Sequence, residues 1–207
     1  MFKKGVTRMK FTARKLVLTA ILGTIAYLLM MFRFPLPFMP PFMDFDLAGV
    51  PEMIGTFLLG PVSGLFIVLI KLLIKLATSG TSSMFTGEIQ NFILSASFIL
   101  PSWFIYKRAN NKRQALNGML LGTLCAIIAA CVSNVYFIIP FYATLYGLSM
   151  EAVIAMTQAV NPFVDSVWKL VLIGIVPFNL IKFGVCTSVV YLSLDRLRAI
   201  FLRREFS

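Results

Sequence analysis

Long apolar runs with few charges are the feature that most constrains how this chain can fold. The first, residues 16–32, is 17 residues long and uncharged, close to the ~20 residues that an α-helix needs to cross a bilayer. Hydrophobic residues make up 59% of the sequence and charged residues 13%, against about 45–50% and about 25% in soluble domains. Because an α-helix makes all its backbone hydrogen bonds internally and so needs no partners in lipid, we predict an all-α membrane protein. The other runs are 47–59, 62–78, 89–106, 116–139 and 167–194.

Most of the positive charge lies in three short segments, which indicates how the helices are oriented. Fourteen of the 19 lysines and arginines fall within residues 3–15, 107–113 and 196–204. A net charge of +11 would suggest nucleic acid for a soluble chain, but clusters beside spans follow the positive-inside rule and face anionic lipid headgroups. We therefore predict no nucleic-acid partner. Instead we predict a single cell-membrane domain, a six-transmembrane-helix bundle with both termini cytoplasmic.

The domain covers residues 1–207, with a basic cytoplasmic N-terminus at 1–15 and an extracellular loop at 140–165. Gly60-Pro61 interrupts residues 47–78. This segment is either one long helix with a kink at these two residues or two spans joined by a tight turn. Two spans place the cluster 107–113 inside, so we predict two, the first of them short. The fifth helix is predicted to end at Pro140, a short surface helix to run from Ser149 to Gln158, and the sixth span to break near Pro177.

Residues 33–46 form a loop rich in proline and phenylalanine between the first two spans. Four of the ten prolines lie there, and residues 32–46 hold five phenylalanines. Proline fixes φ and removes a backbone donor, so the loop is predicted to be stiff and extended, neither a helix nor a central strand. It is either a structured lid over a small-molecule site or an aromatic anchor at the membrane interface.

Several polar side chains fall in the outer halves of the predicted spans. Asn179 and Lys182 lie three residues apart and share a helix face, and a lysine at membrane depth costs about 2.5–3.5 kcal/mol unless it meets a wet cavity, a ligand or a carboxylate. The amides Gln90, Asn91 and Asn134 complete a predicted pocket under the loop. Singly, each amide is also explained as a contact between helices.

The sequence lacks histidine and a phosphate-binding glycine loop, so neither a histidine-based active site or metal site nor a nucleotide site is predicted. In the first helix, small residues form one face that suits close approach of another helix. This face serves either packing within the bundle or docking to another membrane protein. Its members are Thr19, Ala20, Gly23 and Thr24.

Several stretches resemble the substrate-binding S components of energy-coupling factor (ECF) transporters, in particular the riboflavin-specific type. The similarity spans most of the chain, and its most specific part joins Phe-Pro-Leu-Pro-Phe, beginning at Phe34, to Asn-x-x-Lys at Asn179–Lys182. Other similar pieces are Val50-Pro51, Gly60-Pro-Val-Ser-Gly64 and Gln90-Asn91-Phe92.

The resemblance implies a flavin pocket near the outer face, closed by the first loop. Flavin would be the transported ligand, with no cofactor or metal, and the partners would be a transmembrane coupling subunit and two ATPase subunits. Alternatives are an S component for thiamine, folate or pantothenate, or a membrane scaffold without transport. The implied substrate-binding residues are Asn91, Asn134, Asn179, Lys182, Lys71, Phe45 and Asp46, and the implied coupling-subunit contacts are Ala20, Thr24 and Gly23.

Overall fold

The computed structural model describes residues 12–40, 43–81, 83–145, 147 and 149–203. Three parts of the predicted features lie outside these residues: most of the N-terminal segment 1–15, positions 41–42 of the loop, and Arg204. The fold is a helical bundle with one two-stranded ribbon. Its elements are α1 Ala13–Met31, β1 Phe34–Pro35, β2 Asp44–Phe45, α2 Gly49–Leu59, α3 Pro61–Ser79, α4 Thr86–Tyr106, α5 Lys112–Ser133, α6 Ile139–Leu145, α7 Met150–Gln158, α8 Val167–Lys169 and α9 Val176–Arg203.

Five helical segments of the described chain are long and apolar enough to cross a membrane, which agrees with a multi-pass membrane protein. The helix α2, with 11 residues, is apolar but shorter, as predicted for the second span. Many large apolar side chains on the outer faces of these segments are exposed, as a lipid-facing surface requires. The segments are Ala13–Met31, Pro61–Ser79, Thr86–Tyr106, Lys112–Phe141 and Val167–Ala199.

The turn between α2 and α3 confirms the prediction of two helices. Gly60 has φ 96°, a left-handed value that glycine adopts without the steric cost of a Cβ. Pro61 then opens α3 at its first position, where its missing N–H and fixed φ are favourable. The chain therefore reverses within one residue.

Proline affects the last two long helices differently from the prediction. The fifth helix does not end at Pro140, because a π-helical turn over Asn134–Ile138 carries it on into α6. A second π-helical turn, Leu170–Ile175, precedes Pro177, and the helix continues into α9 without a break. Each wider turn accommodates the missing proline N–H, so both predicted interruptions are corrected to local widenings.

The loop after α1 is ordered by pairing with itself and by contacts to the bundle. Phe34 pairs with Phe45 in an antiparallel ribbon, and their rings lie 5.4 Å apart. At the far end of the loop, Asn161 Nδ2 donates to the Phe38 carbonyl at 3.1 Å, and Pro40 packs against Gly174. The loop therefore contacts both the π-helical turn before α9 and the segment after α7. The helix α7 itself begins after its predicted cap, Ser149.

Polar contacts join the α4–α5 turn to the last helix at the end of the bundle opposite this loop. Lys112 Nζ lies 2.9 Å from Asp195 Oδ2, and Arg198 donates to the Asn110 carbonyl at 2.7 Å. The charge cluster at 107–113 and the described part of the cluster at 196–204 thus share one end of the bundle.

Candidate ligand-binding site

A cavity of about 150 Å³ lies between the loop, the start of α4, the π-helical turn after α5 and the start of α9. The chain contributes amides, one lysine and apolar side chains from these elements. A second cavity of about 30 Å³ lies deeper and shares Asn91, Leu94 and Lys182 with the first. The larger cavity is lined by Met43, Asp44, Gly87, Gln90, Asn91, Leu94, Asn134, Ile138, Phe178, Asn179 and Lys182.

Two of the amides present hydrogen-bond acceptors to the larger cavity. Asn134 Nδ2 donates to the Ala130 carbonyl at 2.7 Å, and Asn179 Nδ2 donates to the Ile175 carbonyl at 2.8 Å. Because a carbonyl only accepts, the nitrogen of each amide is committed to its own helix and Oδ1 stays free. Asn179 Oδ1 is buried and has no partner within the described chain, so a ligand donor would satisfy it.

Asn91 has the opposite orientation. Its Oδ1 accepts from Lys71 Nζ at 2.6 Å, which leaves Nδ2 as a donor. Lys71 is itself 2.5 Å from Glu52 Oε1, and both side chains are 1% exposed. This buried ion pair was not predicted, because Glu52 and Lys71 lie 19 positions apart on different helices. The cost of an unpaired lysine at membrane depth was the signal that pointed to a carboxylate partner.

Lys182 connects the cavity to the loop. Its Nζ lies 2.7 Å from Asp46 Oδ2, and Asp46 Oδ1 accepts the Ala48 N–H at 2.9 Å. Burial alone would raise the pKa of Asp46, but the charges of Lys182 and Lys71 and the hydrogen bonds hold this pKa below its ordinary value of 3.8. The carboxylate therefore stays charged and ties the end of the loop to α9.

The predicted pocket residues fall into three groups. Asn91, Asn134, Asn179 and Lys182 line the larger cavity. Lys71 and Asp46 line only the smaller one, and Phe45 lines neither, since it is buried against Phe34 in the ribbon. Gln90, also predicted for the pocket, lines the larger cavity too, whereas Asp44 and Phe178 line it without having been predicted.

The small-residue face of α1 is divided between two directions. Ala20 and Thr24 are exposed, as a docking face requires. Gly23 is buried, and a Cβ there would lie 2.6 Å from Ile70 of α3. The placement of Gly23 on the outward face is therefore corrected: its lack of a side chain allows α1 and α3 to pack closely.

The remaining cations outside the basic clusters have carboxylate partners. Lys75 pairs with Glu88. Arg33 lies 3.4 Å from Asp44 across the ribbon. Lys169 pairs with Asp165, one turn earlier, as the sequence spacing suggests.

Comparison with known proteins identifies the family. Residues 14–194 match the family described as "ECF transporter, substrate-specific component". The chain belongs to this family of S components. The resemblance seen in the sequence is thereby confirmed, and a family of transport subunits argues against an enzyme.

Relatives cover almost the whole S component. It is 30% identical over 191 residues to the riboflavin transporter RibU of Staphylococcus aureus (strain TCH60), covering 92% of this chain and 93% of the relative. It is 31% identical over 179 residues to the riboflavin transporter FmnP of Bacillus subtilis (strain 168), covering 86% and 88%. A solved structure, "Structure and mechanism of the S component of a bacterial ECF transporter", superposes with a TM-score of 0.69, 31% identity and coverage of 91% and 97%.

Proposed function

We propose that this chain is the riboflavin-binding S component of an ECF importer, which captures flavin outside the cell. The observation that carries the proposal is the cavity under the aromatic loop, where four amides and a lysine converge in a chain similar to riboflavin transporters over most of its length. A flavin ring system offers one N–H donor together with carbonyl and ring-nitrogen acceptors, which complement amides that present both donors and acceptors. Thiamine, folate and pantothenate are less well supported, because the relatives point to riboflavin.

The size of the cavity supports a movable lid. At about 150 Å³ it is smaller than the ~300–1,000 Å³ of sites for drug-sized ligands, so a tricyclic ligand requires displacement of the residues 33–46. The Asp46–Lys182 pair and the Asn161–Phe38 hydrogen bond are the contacts that such a movement would loosen. The loop thus acts as a lid rather than only as a membrane anchor.

For the topology we propose six crossings, with α2 as the short one and both termini cytoplasmic. The contacts that join the 107–113 cluster to the end of α9 support a common cytoplasmic end. The cavity lies toward the opposite, outer end. The whole chain, residues 1–207, then forms one domain of the bacterial cell membrane, with 140–165 outside.

The energy for transport would come from partners. The sequence has no phosphate-binding glycine loop, so two ATPase subunits and a coupling subunit would supply ATP hydrolysis. The exposed Ala20 and Thr24 on α1 provide a face of small residues on which a coupling helix can pack closely.

Binding of a vitamin panel to the purified protein in detergent tests the proposal. We expect riboflavin fluorescence to be quenched with saturation, and thiamine, folate and pantothenate not to compete. Competition by one of the other vitamins, with no riboflavin quenching, would reassign the ligand within the same family.

A further inference from the structure

One hydrogen-bond donor of the cavity, the Asn91 amide, is held by two charged residues that do not line the larger cavity. Lys71 Nζ bridges Asn91 Oδ1 and Glu52 Oε1, at 2.6 Å and 2.5 Å. Glu52 lines neither of the two cavities and is 0% exposed. The three residues come from α4, α3 and α2, so the contact depends on how these helices pack.

The charge of Lys71 determines which way the Asn91 amide faces. An ammonium group only donates, so the amide atom beside it must be Oδ1. Asn91 Nδ2 makes no hydrogen bond within the described residues, and it remains available to the cavity. Asn134 and Asn179 are oriented oppositely by backbone carbonyls. The donor at Asn91 is therefore the exception among the three asparagines.

Glu52 in turn holds the Lys71 ammonium in place. Its Oε1 lies 2.5 Å from Lys71 Nζ, and both side chains are 1% exposed. Because a buried ammonium depends on a paired carboxylate to offset its lost hydration, we expect removal of the Glu52 charge to displace Nζ from Asn91 Oδ1. The orientation of Asn91 would then no longer be defined.

We infer that Glu52 and Lys71 are positioning residues for ligand specificity: they fix Asn91 as a hydrogen-bond donor and so select ligands with an acceptor atom at that place. The inference rests on the proposed function, because the flavin ring carbonyls and unprotonated ring nitrogens are acceptors of this kind. It assigns a role in recognition to Glu52, a residue that the ligand does not reach.

A double-mutant cycle tests whether Glu52 acts through Asn91. Riboflavin affinity is measured by fluorescence quenching for the original protein, Glu52→Gln, Asn91→Ala and the double variant. We expect each single change to weaken binding about tenfold, and the double variant to bind within about twofold of Asn91→Ala, since the two residues act as one unit. A merely structural role for Glu52 would instead weaken binding equally in both backgrounds.

Glu88→Gln is the matched control, because it makes the same change in the Lys75–Glu88 pair and Glu88 lines neither cavity. It should bind riboflavin within about twofold of the original protein, because neither Lys75 nor Glu88 lines either of these cavities. If Glu52→Gln does not fold, Glu52→Gln/Lys71→Met removes both charges and leaves no unpaired one. The same cycle with Asn91→Ala is then expected to be non-additive.

Additive effects in the cycle, or unchanged affinity in Glu52→Gln, would overturn the positioning role while leaving the riboflavin assignment in place. Failure of the original protein to bind riboflavin would overturn the proposed function instead. The two failures are therefore distinguished within one experiment.

Discussion

Asp46→Asn isolates the charge that ties the loop to α9. Asparagine keeps an Oδ1 that can accept the Ala48 N–H, now 2.9 Å from Asp46 Oδ1, and it has nearly the same shape. What it removes is the negative charge opposite Lys182. The substitution therefore tests the ion pair with little change in the start of α2.

The expected loss of stability follows from the burial of the pair. Removing one partner of a fully buried ion pair costs about 3–5 kcal/mol. Asp46 is 5% exposed, but Lys182 is 16% exposed and borders a cavity that water can enter, so we expect about 2–3 kcal/mol. For a chain of this size, 1 kcal/mol shifts the melting temperature by about 2–4 °C, which predicts a decrease of roughly 4–12 °C.

The melting temperature can be followed with a thiol-reactive fluorophore, because Cys186 is buried in the folded bundle. Asp165→Asn is the matched control, since it makes the same change in the Lys169–Asp165 pair, in which Asp165 is 52% exposed. Exposed pairs contribute little, so the control should melt within about 1 °C of the original protein. Equal melting of all three proteins would refute the argument that Asp46 and Lys182 form a stabilising buried pair.

Three further predictions follow from the same contacts. Asn179→Ala should weaken riboflavin binding by about 1–3 kcal/mol, measured by fluorescence quenching. The control Leu180→Ala, at an exposed neighbouring position, should not weaken it. An Asn179→Ala variant that binds as tightly as the original protein would remove Asn179 from the site. Ala20→Leu should leave riboflavin binding intact and abolish riboflavin uptake into cells. The control Ala77→Leu, at an exposed position of α3, should retain both. Uptake by the Ala20→Leu variant would mean that α1 is not the docking face. The folded-state pKa of Asp46 is lowered. The Asp46–Lys182 pair therefore contributes its full stabilisation of the folded state above about pH 5, and this contribution is lost as pH falls through the lowered pKa. The melting difference between the original protein and Asp46→Asn should therefore be constant from about pH 5 to 8 and shrink below pH 3.8; a difference that changes near neutral pH would contradict this.

The helices were predictable from the sequence because their signals are local. The uncharged run at 16–32, the Gly60-Pro61 turn and the cap at Ser149 each act within a few residues. The continuation past Pro140 was not predictable in the same way. Whether proline ends a helix or is accommodated by a π-helical turn depends on what packs around it, and this is a tertiary property.

The site was predictable in part. Asn91, Asn134, Asn179 and Lys182 could be grouped because intramembrane polar residues are costly and tend to converge. Their partners could not be assigned, since Lys182 pairs with a residue 136 positions away and Lys71 with one 19 positions away. The direction of each amide also depends on those partners, so the donor and acceptor pattern emerges only from the packed structure.

The central claim is that this S component binds riboflavin, and the most direct measurement is the visible absorption and fluorescence of the protein purified from cells in detergent. The account predicts a flavin spectrum, with a compound released on denaturation whose mass is that of riboflavin. A colourless protein that also fails to quench added riboflavin would contradict it.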